Sequence, residues 1–224
     1  MRTRIKVCCI ESHLEAALAV RAGADAIGLV GEMPSGPGVI GDALATDIAA
    51  QLTVAVASFM RSARTTGPDL AAHGHPCRTQ VIQVVKHIEP TEHRALAQDA
   101  PRVRRVQVIH VEDAASLGLQ DAYAPYVDAF LLDSGSPNTN EFGGTGRTHD
   151  WSISAEFVRR AGRPVFLAGG LRARNVGAAI ATVRPYGVDV CSGVRTDGSL
   201  DESKLQAFVR AVRDADAAAA SSTA

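Results

Sequence analysis

Short apolar runs alternate with stretches of helical periodicity along almost the whole chain. The first run covers residues 5–10 and leads into a helix. Ser12 and Glu15 open that helix as an S-x-x-E capping box, in which each side chain satisfies a backbone N–H left over at the helix start. Leu14, Ala17, Leu18 and Val20 supply the helical stripe, and Gly23 stops it. The alternation then repeats. Strands are predicted over 26–30, 54–59, 80–85, 103–111, 129–132, 165–168 and 188–191. Helices are predicted between and after them, over 42–52 with Asp42 as cap, 69–73, 91–97, 114–124, 152–161, 175–183 and 201–212.

The strands are nearly continuous in Val, Ile, Leu and Ala, which marks strands covered on both faces, as in a parallel sheet. Strand–helix alternation predicts a parallel α/β fold. Eight such units within residues 1–213 fit a single (β/α)8 TIM barrel. A doubly wound open sheet is the alternative, but it usually needs fewer units and a Gly-rich first turn. This chain has Cys8-Cys9-Ile10-Glu11-Ser12 there. Residues 214–224 are rich in Ala, Ser and Thr without apolar periodicity and read as a disordered tail.

Composition narrows the partners. Lys plus Arg number 23 and Asp plus Glu 24 in 224 residues, a net charge of −1. Nucleic-acid binding needs an excess of cations to displace counterions, so the balance argues against it, and 4% aromatics disfavour a base-stacking surface. No apolar run approaches the roughly 18 residues of a membrane helix, and Met1 to Lys6 lead into the first strand without a secretory h-region. Four cysteines (Cys8, Cys9, Cys77 and Cys191) in a chain this long are not a disulfide framework, and the adjacent Cys8 and Cys9 do not fit a zinc-ligand spacing; Cys77 and Cys191 read as structural or incidental, and no metal is expected. A cytoplasmic, reduced protein, monomeric or homodimeric, is the expectation.

In such a barrel the chemistry sits at the C-terminal ends of the strands. Those ends offer Cys8 and Cys9, Lys86 and His87, Gln107 and His110, Asp133 and Ser134, then Asp189. Side chains alternate faces along a strand, so only one of Cys8 and Cys9 is expected to point inward. Gly169-Gly170 and Ser192-Gly193 follow the last two strands, the usual place for a phosphate, where glycine lets backbone N–H groups approach an anion. The competing reading makes them simple βα turns. Asp133 follows the apolar run at 129–132, and a carboxylate there is either a loop cap or an acid–base group. Gly143 to Arg147 read as a lid or as an ordinary surface loop.

Several motifs together resemble the phosphoribosylanthranilate isomerase family. They are Lys6-Val7-Cys8, Ala22 to Val30 (AGADAIGLV), Leu131-Leu132-Asp133-Ser134 with Gly143 to Trp151 (GGTGRTHDW), Pro164 to Val176, and Gly187 to Val194. The resemblance implies an Amadori rearrangement of a phosphoribosyl-amine without a cofactor, on a small-molecule phosphosugar. It implies Asp133 as general acid and Cys8 as general base, with phosphate held by Gly169, Gly170, Ser192 and Gly193. His87, Asp189 and Arg147 are implied as further substrate contacts. Two departures stand out: Cys9 replaces a family glycine, and Gly38 replaces the arginine that binds the anthranilate carboxylate. Lys86, Arg61 and Arg147 are the candidates for the missing cation. An isomerase of a different phosphoribosyl-amine and a non-catalytic phosphosugar-binding protein remain the alternatives.

Overall fold

The computed structural model describes residues 2–33, 36–134 and 148–221. Eight parallel strands close in chain order: β1 (Arg4–Val7), β2 (Ala26–Val30), β3 (Ala57–Ser62), β4 (Val81–Val84), β5 (Arg104–His110), β6 (Ala129–Asp133), β7 (Val165–Leu167) and β8 (Gly187–Val190). Lys6 of β1 lies opposite both Ala26 of β2 and Asp189 of β8, so the sheet has no edge and the open-sheet alternative falls away. The surrounding helices are α1 (His13–Ala22), α2 (Asp42–Gln51), α3 (Gly67–Cys77), α4 (Pro90–Asp99), α5 (Leu119–Tyr123), α6 (Trp151–Arg160), α7 (Ala173–Val183) and α8 (Glu202–Ser221). None of the described helices is long and apolar enough to cross a membrane.

The period-2 alternation of the strands sorts their side chains into two layers. Ile5, Val7, Ile27, Leu29, Met60, Ile82, Val84, Phe130, Leu132, Leu167, Val188 and Val190 face the helices and form the outer core. Phe59, Val81, Val106, Val108, Leu131 and Phe166 fill the barrel interior. Gln107 belongs to the outer set. Its amide donates to the carbonyls of Lys86 and Val108, and its Oε1 lies 2.8 Å from His93 Nε2. It therefore does not reach the barrel mouth.

Beyond shifts at element ends, three differences from the pattern-based expectation bear on the site and the chain ends. Strand β3 starts three residues later than predicted, because pairing with β2 sets Ala57 opposite Ala26 and Arg61 opposite Val30. Val54 is left fully exposed in the preceding turn, and Arg61 is drawn into the strand. Second, the expected disordered tail is helical as far as Ser221. Alanine is the strongest helix former, so a run that lacks apolar periodicity still propagates a helix already started by packing. Asp216 then anchors it, accepting from the Thr3 N–H at 2.9 Å and the Thr3 hydroxyl at 2.6 Å, while Arg213 donates to the Thr3 carbonyl. Third, a small hairpin of β9 (Arg195–Thr196) and β10 (Ser199–Leu200) separates β8 from α8.

The capping box of α1 forms only in part. Ser12 accepts from the Glu15 N–H, and Gly23 closes the helix at φ 101°. The Glu15 carboxylate, however, reaches the Glu11 N–H instead of that of Ser12, and continues to the Leu200 N–H and the Arg195 guanidinium. It thus ties α1 to the hairpin.

Candidate active site

The C-terminal mouth of the barrel holds an open cavity. Its floor is polar. Lys6, fully buried, donates to Asp189 Oδ2 at 2.9 Å and lies 5.3 Å from the centre of the Phe59 ring. Burial disfavours the charge on both partners, and each supplies the opposite charge the other needs. Asp189 Oδ1 has no hydrogen-bond partner among the described residues, and Asp189 lines the cavity. Gly28 of β2 makes this arrangement possible: a Cβ there would come within 2.8 Å of Cys8 Sγ and 3.0 Å of Lys6 Nζ.

Cys8 and Cys9 both line the cavity, against the expectation that one would face the helices. Strand alternation ends with Val7, and Cys9 turns into the left-handed region at φ 61°. That conformation suits the glycine of the family pattern and strains a cysteine. Cys9 Sγ lies 2.7 Å from Cys191 Sγ, and all three thiols are free. Cys191 is thereby part of the mouth rather than incidental. The bond to Cys9 and burial push the Cys8 thiol well above its usual range, with Lys6 working in the other direction. Cys9 is pushed up to about 12, chiefly by its bond with Cys191.

Asp133 ends β6 at the same cavity, its Oδ1 accepting from the Ser134 N–H at 2.7 Å. The Arg61 side chain, 5% exposed, also lines it. Burial opposes the Arg61 charge, and the surrounding Cys8, Cys9, Asp133 and Asp189 outweigh that cost. His110 sits opposite Asp133 in the β5–β6 ladder and is pushed down to about 4, primarily by burial. His149 is shifted downward by burial in the same way and hydrogen-bonds Ser154 at 2.7 Å. His87 packs against His110 with tilted rings whose centres are 5.6 Å apart and does not line the cavity. The sequence pattern offered Arg61 only as one of three cations and gave Gln83, which also lines the cavity, no role.

The glycine loops meet the cavity from the other side. Gly169 and Gly170 line it with φ of 84° and 60°, and Ser192 joins them. A Cβ on Gly169 would press on His149 and Ser134, both about 3 Å away. Gly193 plays a different part: its Cα packs so tightly on the Leu171 carbonyl that a Cβ would lie 1.9 Å from that oxygen. It holds the two loops together. The start of α7 is fixed by Asn175, which accepts from the Arg172 N–H and donates to the Gly170 carbonyl. Backbone N–H groups at a helix start and at glycine turns together suit an anion.

Gly38, at φ 83°, lies directly on Cys9. A Cβ at position 38 would come within 2.5 Å of the Cys9 Cβ. Arg147 and the Gly143 to Arg147 segment lie outside the described residues.

The family model for N-(5'-phosphoribosyl)anthranilate (PRA) isomerase matches residues 70–211. The enzyme of that name from Moorella thermoacetica is 39% identical over 219 residues, covering 95% of this chain and 91% of its own length. Its namesake from Haloferax volcanii is 37% identical over 215 residues, covering 95% and 94%. A solved phosphoribosyl anthranilate isomerase in complex with reduced 1-(o-carboxyphenylamino)-1-deoxyribulose 5-phosphate superposes with a TM-score of 0.78 at 25% identity, over 95% of this chain and 99% of that one. Sequence match, barrel closure and mouth geometry converge, and the chain belongs to the N-(5'-phosphoribosyl)anthranilate isomerase family.

Proposed function

We propose that this chain catalyses the Amadori rearrangement of N-(5'-phosphoribosyl)anthranilate in tryptophan biosynthesis. The observation that carries the reading is one cavity lined by a thiol from the β1 end, a carboxylate from the β6 end and paired glycine loops after β7 and β8. The phosphate anchors at Gly169, Gly170 and Ser192. Asp133 donates a proton to the ribose ring oxygen, and the C1–O bond breaks as the nitrogen lone pair forms an iminium. Cys8 as thiolate takes the proton from C2, and the released electron pair neutralises the nitrogen, leaving an enolamine. Proton delivery to C1 and loss of the enol proton give the ketone. The steps conserve atoms and electrons without a redox partner, because the imine is the electron sink.

The Asp189 Oδ1 accepts from a ribose hydroxyl, while Lys6 works against the burial that raises the Asp189 carboxyl and opposes the rise of the Cys8 pKa. Arg61 supplies the cation for the anthranilate carboxylate, in place of an arginine at position 38. Four free cysteines fit the reducing cytoplasm.

Gly38 favours a second reading, a phosphoribosyl-amine whose aglycone carries no carboxylate. Expression in a tryptophan auxotroph lacking this isomerase tests the first. Growth that is lost with Cys8→Ala and with Asp133→Asn is the expected result. A soluble, folded chain that neither restores growth nor converts purified substrate would overturn it. A higher KM for the anthranilate substrate in Arg61→Gln, at similar kcat, is expected if Arg61 meets the carboxylate.

A further inference from the structure

Outside the barrel mouth, Asp42, His73 and Cys77 converge in a cluster that the rearrangement does not use. One ligand atom from each lies within 4.8 Å of the other two. Asp42 is the first residue of α2, and His73 and Cys77 are spaced i, i+4 on α3, which puts them on one face of that helix. His73 is 1% exposed. Its Nδ1 is engaged by Ser62 Oγ at 2.9 Å, at the end of β3. The other ring nitrogen, Nε2, is buried without a hydrogen bond, and the Asp42 carboxylate stands 3.4 Å from it. The ring occupies space left by Gly31, where a Cβ would lie 2.4 Å from Nε2.

We propose that Asp42, His73 and Cys77 form a site for a divalent metal ion of the zinc class. An imidazole, a thiolate and one carboxylate are a borderline-soft donor set, which selects zinc or cobalt(II) over magnesium or calcium. Three protein ligands leave a fourth position, and the half-exposed Asp42 opens it to water. Ser62 acts behind the ligands, fixing the His73 ring so that Nε2 faces the ion. Binding displaces the thiol proton of Cys77. The ion joins the start of α2 to α3. It therefore braces the β2–α2 loop, which carries Gly38 onto Cys9.

The test is titration of the chelator-stripped full-length protein with cobalt(II), followed by absorption, and with zinc(II), followed by calorimetry. One equivalent is expected to bind, with a thiolate-to-cobalt charge-transfer band. Cys77→Ser is expected to remove that band, and the exposed Asp42→Asn, which leaves the core untouched, to weaken binding at least tenfold. A Cys8→Ser/Cys9→Ser/Cys191→Ser variant is expected to keep the band, which separates this site from the thiols of the mouth. The proposal is overturned if no equivalent binds, if the band disappears with the mouth thiols, or if Asp42→Asn binds as tightly as the parent. Because the readout is metal binding, its failure leaves the isomerase reading standing, and the reverse also holds.

Discussion

Cys9 and Gly38 occupy each other's space. The Cys9 side chain stands where a Cβ on residue 38 would go, and both residues have positive φ. The two departures from the family motif therefore lie in direct contact. Gly38→Arg alone is expected to destabilise the protein by about 2–4 kcal/mol, from overpacking plus the cost of a side chain at positive φ. Cys9→Gly should recover only part of that loss, because a Cβ at position 38 would still lie 2.8 Å from the Cys9 Cα and the positive φ of residue 38 remains; a double-mutant cycle by chemical denaturation should show this partial coupling. Sequence motifs mark both residues as anomalies, but their contact comes from a loop folded over the mouth, which no spacing rule encodes. At Cys8, the mechanism requires the thiolate while the free enzyme holds the thiol well above its usual range. The raised thiol pKa gives the sign of a direct measurement: in a Cys9→Ser/Cys191→Ser variant, the rate at which a small alkylating reagent modifies Cys8 should climb with pH and still be climbing at pH 9. A plateau in that rate below pH 8 would contradict the raised thiol. Cys8→Ala is expected to lower kcat by roughly 10²–10⁴, the usual range for a lost acid–base group.

At the scale of elements, strands are legible in the sequence wherever they are buried on both faces, because a short uninterrupted apolar run bounded by turn residues fits the middle of a covered parallel sheet and little else. β2 matches its predicted bounds, β4, β5 and β7 lie within theirs, and β8 is shifted by one residue. β3 is displaced because its register depends on β2 and β4, and register is a pairing property that the chain's own pattern does not carry. The end of α8 is illegible for a related reason: its stability rests on Asp216 reaching back to Thr3. Asp216→Ala should cost about 1–2 kcal/mol through the lost bonds to a backbone N–H and a hydroxyl, a fall in Tm of roughly 2–8 °C for a domain this size. Glu15 links α1 to the β9–β10 hairpin, and burial works against its charge while Arg195 and the N–H groups of Glu11 and Leu200 outweigh it. Its folded pKa is lowered, so its contribution is present above the ordinary glutamate pKa and is lost as pH falls through the folded value. The stability gap between the parent and Glu15→Gln should be full at pH 7 and close only as pH falls below the ordinary glutamate range.

At the scale of the whole molecule, near-neutral charge means that no global field gathers an anionic substrate. Local donors, namely glycine N–H groups, the start of α7 and Arg61, must do so, and association should depend only weakly on ionic strength. The chemistry is also concentrated where the two ends of the chain meet. Lys6, Cys8 and Cys9 come from the first strand and the turn after it; Asp189, Cys191 and Ser192 come from the last. Until β8 has docked on β1, the floor of the cavity does not exist. During synthesis Cys8 is made 181 residues before Asp189, so the floor of the site is completed only after the intervening strands have been added. Non-local closure of this kind is slow to form. Recovery of turnover on refolding should lag behind recovery of helical signal, so enzymatic activity serves as a clock for the final stitch of the ring. A circular permutant opened at another βα junction, with the present termini joined, would start that clock elsewhere while leaving the finished machine unchanged.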